Sequence, residues 1–173
     1  QVQKWLAWLG INLLTAFLAS AVVGYFESTI ARVSALAVLL PIVAGQSGNT
    51  GAQAMAVAMR GLAVREILPR HWLKVAFKEI RVGMINGVAV AIATGLSVWW
   101  WSGQLALGGV IAVAMVIAMA IASAAGALVP LGLSAIGRDP AQSSSIVLTT
   151  ITDVFGFLAF LGLATLFMSA LGG

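Results

Sequence analysis

Pro41-Ile42-Val43-Ala44-Gly45-Gln46-Ser47-Gly48-Asn49-Thr50-Gly51-Ala52-Gln53 lies inside a long apolar run, yet it carries a proline, three glycines at three-residue spacing and a set of amide and hydroxyl side chains. In a bilayer, backbone interrupted by Pro and Gly persists only where protein buries it or where it lines a wet cavity. Membrane helices broken at mid-depth by polar groups are a recurring way to build an ion or substrate site. The stretch therefore predicts a broken membrane helix, with carbonyls freed at the break.

The composition around it agrees. Of 173 residues, 61% are hydrophobic and 8% charged, and the mean hydropathy is +1.07. A soluble domain carries about 25% charged residues, so the chain is an all-α integral membrane protein. There is no cysteine, which excludes disulfides, thiol catalysis and thiolate metal sites. The formal charge of +4 does not point to nucleic acid. The uncharged runs are too long for such a domain, and the basic residues gather between them, where they orient the chain in lipid.

Working outward, one transmembrane domain (residues 1–173) is expected, with five spans at about 5–25, 33–59, 82–99, 105–136 and 143–171. Lys4 and Leu18-Ala19-Ser20 have the look of a signal peptide, but the apolar run exceeds an h-region of about 7–15 residues and reads as a span. Glu27 and Arg32 mark a short polar loop. After the second span, Lys74, Lys78 and Arg81 share one helical face and Leu73, Phe77 and Ile80 another, an amphipathic lead-in lying at the lipid interface. Trp99-Trp100-Trp101 is an aromatic belt at the water boundary. Pro130 predicts a kink in the fourth span, and Gly137-Arg138-Asp139-Pro140 a tight turn. Five spans place Lys4, Arg60, Arg65, Arg70, Lys74, Lys78, Arg81 and Arg138 on one side and Arg32 on the other. The positive-inside rule makes the first side cytoplasmic, with the N-terminus in.

Asp153 is the acidic residue well inside a span, and a charge there is costly unless it faces protein or water. Ser145, Thr149, Thr152, Asp153 and Gly156 fall on one helical stripe, as in a pore-lining helix. The plainer explanation is an aspartate joining two helices. On the second span, Gly45, Gly48, Asn49, Ala52 and Ala56 form another stripe beside Gln46 and Gln53. Small residues alone would serve packing, but packing does not call for the amides. Amide and backbone oxygens with one carboxylate, and no His or Cys nearby, suit Mg²⁺ or Ca²⁺. Two copies of Asp153 about a two-fold axis would match a divalent charge. Gly83 and Gly87 read as helix packing, and Glu27 and Asp139 as solvated acids. Gly45-Gln46-Ser47-Gly48 matches the serine motif of rhomboid proteases, but that chemistry needs a histidine as base. The sole histidine, His71, lies in the basic stretch. No enzyme is expected.

Pro41 to Gln53, together with Thr152-Asp153-Val154-Phe155-Gly156-Phe157, resembles the membrane domain of the MgtE family of magnesium channels. The likeness extends over nearly the whole chain, including Phe26-Glu27-Ser28, Phe77-Lys78-Glu79 and Arg138-Asp139-Pro140. It implies a homodimer in the bacterial inner membrane, five helices per protomer, and a central pore lined by the second and fifth. Asp153 would bind hydrated Mg²⁺, the transported ion. Thr149 would offer its carbonyl, Gly45 and Gly48 would lie on the pore wall, and Asn49 and Ser145 complete the candidate metal site. Ala52 and Ser145 stand where family members carry Asn. Cytosolic regulatory domains, CBS modules among them, are implied ahead of the first span and outside these residues. The same fold conducting Mn²⁺ or Co²⁺, or a non-conducting scaffold, are the alternatives.

Overall fold

Helices in lipid gain nothing from hiding apolar side chains from one another, so they associate where small residues let their backbones approach. The computed structural model, which describes residues 2–172, follows that rule; Gln1 and Gly173, the ends of the expected domain, lie outside it. The elements are α1 (Val2–Tyr25), α2 (Glu27–Arg32), α3 (Ala35–Ala63), α4 (Trp72–Ser102), α5 (Leu105–Ala135) and α6 (Pro140–Leu166). Single 3₁₀ turns occupy Pro69–His71 and Met168–Leu171. No strand occurs among the described residues. Helices α1, α4, α5 and α6 are long and apolar enough to cross a membrane. Helix α3 matches them in length, at about 43 Å for 29 residues, and is set apart only by its polar centre.

Helix α5 is the hub. Nearly half of its 31 residues are buried, and it packs against α4, α3 and α6. Toward α4 the seam is glycine. A Cβ on Gly83 would come within 2.6 Å of the Met119 carbonyl oxygen, and one on Gly87 within 3.0 Å of Val116 Cα. Gly95 and Gly108 meet at the far end, where a Cβ on Gly95 would lie 3.0 Å from the Gly108 oxygen. Toward α3, a Cβ on Gly126 would collide with the Gly51 carbonyl. Between these seams Leu36, Leu107, Ile111, Met115, Phe160 and Leu161 form the main core.

The expected break at Pro41–Gln53 does not occur. Helix α3 runs unbroken from Ala35 to Ala63 with Pro41 inside it. None of Gly45, Gly48 and Gly51 takes a left-handed conformation; the positive-φ glycines are Gly103, Gly137 and Gly172. The polar side chains back-bond along their own helix, Ser47 Oγ to the Val43 oxygen at 2.8 Å and Thr50 Oγ1 to the Gln46 oxygen at 2.9 Å. In hydrocarbon the backbone has no better partner than itself, so glycine lends slimness here rather than a bend.

Other boundaries shift as well. The lead-in and the third span are one helix, α4, rather than an interfacial segment followed by a span. It stops at Gly103, whose φ of 70° suits glycine and whose N–H donates to the Trp99 oxygen at 2.8 Å. The polar loop at Glu27–Arg32 is a short helix, pinned to α6 by Thr29 and Thr165 hydroxyls 2.9 Å apart. Pro130 is buried within a continuous α5. Helix α6 starts at Pro140, a residue suited to a first turn, and ends at Leu166 instead of continuing to 171.

Replacing Gly83 by Val should wedge α4 from α5. Overpacking of this kind costs about 1–3 kcal/mol, so Gly83→Val should unfold several degrees below wild type in detergent. Gly10→Val, at a position with nothing within 4 Å, should not.

Candidate ion path

Helices α3 and α6 meet along Val43, Ser47 and Gly51 on one side and Leu148, Thr152 and Gly156 on the other. A Cβ on Gly156 would sit 3.5 Å from both Ser47 Oγ and Val43 Cγ1, and one on Gly51 would lie 3.0 Å from Leu148 Cδ1 and 3.3 Å from Thr152 Cγ2. The polar stripe expected on α6 therefore divides. Thr152 and Gly156 turn inward and pack, whereas Ser145 and Thr149 stay exposed.

Asp153 follows Thr152 and lies at the edge of this seam, half-buried. Among the described residues, none hydrogen-bonds or ion-pairs with its carboxylate. The reading of Asp153 as a rivet between two helices of one chain finds no partner here. Nor does any group of three or more His, Cys, Asp or Glu side chains gather among the described residues.

Within one protomer Asn49 lines one cavity and Ser145 and Thr149 another, and Asp153, Gly45 and Gly48 line neither. Gly45 is exposed, Gly48 half-buried, and a Cβ on either would meet nothing within 4 Å. Of the three motif glycines, only Gly51 is used for packing. Asn49 opens with Gln46, Thr50 and Gln53 into a groove of about 670 Å³ shared with Asn86 of α4. Ser145 and Thr149 line a separate cavity of about 300 Å³ with Trp8 and Asn12 of α1. The Thr149 carbonyl already accepts the Thr152 hydroxyl at 3.0 Å, and the Thr149 hydroxyl donates to the Ser145 oxygen at 2.9 Å.

These open faces follow from the helical period. On α3 the buried positions are Leu36, Leu39, Val43, Ser47, Gly51, Ala54, Ala58 and Gly61, a steady run of three- and four-residue steps. Gly45, Asn49 and Gln53 fall outside it. An open polar face at mid-membrane is unfavourable against lipid. It belongs against water or a second polar surface.

A family model described as a divalent cation transporter, MgtE, matches residues 40–163. The chain belongs to the MgtE family. MgtE relatives named magnesium transporter are found in Thermus thermophilus, 36% identical over 98% of this chain, and in Bacillus subtilis, 31% identical over 96%. A third, from Enterococcus faecalis, is 32% identical over 95%. The chain spans a little over a third of the length of each. MgtE proteins are transporters, in keeping with a multi-pass helical chain.

Three polar residues were given no role by the sequence reading. Glu79 is buried between α4 and α5, where Ser123 Oγ donates to its Oε2 at 3.1 Å and Lys78 Nζ lies 3.9 Å from Oε1. Its signal was the spacing: Glu79, Gly83, Gly87, Ala91 and Gly95 rise in four-residue steps along the buried face of α4. Asn12 and Asn86 were lone amides in apolar runs.

Two expectations follow. Gly45→Ala and Gly48→Ala should keep or slightly raise the thermal midpoint, because a methyl fits and helix propensity favours Ala by up to about 1 kcal/mol; Gly51→Ala should lower it. Glu79→Ala should cost about 1–3 kcal/mol by stranding the Ser123 hydroxyl and opening a void, whereas Glu79→Gln, which still accepts, should recover most of that in the same melt.

Proposed function

We propose that the chain is the membrane part of a homodimeric Mg²⁺ channel that admits the ion to the cytoplasm, with an Asp153 from each copy facing the path. The state of Asp153 carries this reading. It is a carboxylate inside a span, half-buried, with no protein partner among the described residues. A charge so placed is stabilised by water and a cation. One protomer supplies a single negative charge, and a symmetry-related copy supplies the second. The open faces of α3 and α6, useless in a lone protomer, support the same assembly.

The donors are all hard oxygens: Asp153 carboxylate, Asn49 amide, Ser145 hydroxyl, Thr149 carbonyl, and backbone at Gly45 and Gly48. Mg²⁺ sheds its waters reluctantly, so a wide, sparsely lined path holding the hydrated ion fits it. Because α3 is unbroken, the Gly45 and Gly48 carbonyls act within a helix wall, toward those waters, rather than as freed ligands. Contacts made through water are weak enough for release, which conduction requires. The relatives' name supports Mg²⁺ as the cargo. Their greater length supports further domains that regulate the pore. The basic bias sets the N-terminus of α1 on the cytoplasmic side of a bacterial inner membrane.

Mg²⁺ uptake into proteoliposomes, wild type beside Asp153→Asn, tests this. The variant should fold and dimerise normally and lose uptake by at least about tenfold. Equal uptake would remove Asp153 from the path. Faster uptake of Mn²⁺ or Co²⁺ than of Mg²⁺ would reassign the cargo.

A further inference from the structure

The lipid-facing side of α4 carries a feature that the ion path does not use. Lys74, Phe77, Lys78, Arg81, Val82 and Ile85 enclose a groove of about 530 Å³ open to the surroundings. Phe77 and Ile85 are 66% and 70% exposed, so nothing else among the described residues covers it. The Lys78 side chain remains 68% exposed although its ammonium lies 3.9 Å from Glu79.

Depth gives the groove meaning. From Val82 to Ser102 α4 has no charged residue, a stretch of about 31 Å that matches roughly 30 Å of hydrocarbon. Arg81 thus stands at the hydrocarbon boundary, with Lys78 about 4.5 Å and Lys74 about 10.5 Å farther out. Val82 and Ile85 lie just inside. The groove is cationic at phosphate depth and apolar at acyl depth, with Phe77 between. Basic residues that merely orient a chain need no such juxtaposition.

We infer that this face of α4 binds an anionic phospholipid, its phosphate among Lys74, Lys78 and Arg81 and an acyl chain along Val82 and Ile85. Charge complementarity selects the anionic headgroup, and the continuity of the groove with hydrocarbon selects a lipid over a free anion. Basic pockets beside membrane helices are known to take such headgroups, and each cation near the surface contributes roughly a five-fold gain in binding.

The test is native mass spectrometry of the delipidated protein in detergent, titrated with phosphatidylglycerol or phosphatidylcholine of the same chains. Wild type should hold phosphatidylglycerol on the order of tenfold more tightly or better. Lys74→Gln/Lys78→Gln/Arg81→Gln should erase the preference, whereas Arg60→Gln/Arg65→Gln, also basic but outside the groove, should keep it. Because a micelle has no sides, altered insertion of the triple variant does not confound the readout. Phe77→Ala/Ile85→Ala keeps every cation and should still weaken phosphatidylglycerol binding. Equal binding of the two lipids by wild type, or an undiminished preference in the triple variant, would overturn the inference. So would unchanged binding in Phe77→Ala/Ile85→Ala, which would mean diffuse charge. Displacement by millimolar inorganic phosphate would mean a free-anion site instead.

Discussion

An amide inside hydrocarbon has no water to turn to, and the bundle is built around that constraint. It keeps α3 helical through Pro41 and three glycines, and it turns the Ser47 and Thr50 hydroxyls back onto their own carbonyls. It also makes close backbone approach the means of association. Gly83, Gly87 and Gly95 on α4, with Gly108 and Gly126 on α5, let the hub helix sit tightly between its neighbours. What remains polar and unspent, chiefly on α3 and α6, faces outward.

That outward polarity connects fold to function. A soluble protein would solvate Gln46, Asn49, Gln53 and Asp153 at no cost. At membrane depth the same groups are tolerable only against water or another polar surface. The buried glutamate offers a contrast. Glu79 is enclosed and bonded to Ser123, a settled acid that ties two helices. Asp153 has no such bond among the described residues. The difference between the two lies in their neighbours and not in residue type.

Much of this was legible in the sequence. The five long helices follow from uncharged runs and their punctuation, and Gly83 and Gly87 declared a packing seam through spacing alone. The motif Pro41–Gln53 was legible as the place where polar groups enter the membrane, but not as continuous helix. Pro and Gly propensities measured in water overstate the chance of a break where an unpaired carbonyl is so costly. The division of the α6 stripe was hidden too. Thr152 and Asp153 are adjacent in sequence and about 100° apart around the helix, and only the position of α3 decides which of them is enclosed. Glu79 drew notice only within Phe77-Lys78-Glu79, and its four-residue step toward Gly83 went unread.

The clasp between Thr29 and Thr165 has a consequence for how the molecule is made. These hydroxyls lie 136 residues apart in the chain, and α1 rests chiefly on α6. At about 5–20 residues per second, a ribosome takes roughly 7–27 s to pass from one threonine to the other. Helix α1 therefore waits in the bilayer without its chief partner while α3, α4 and α5 emerge and find one another. Of the helices in this bundle, the earliest to emerge is among the last to be seated.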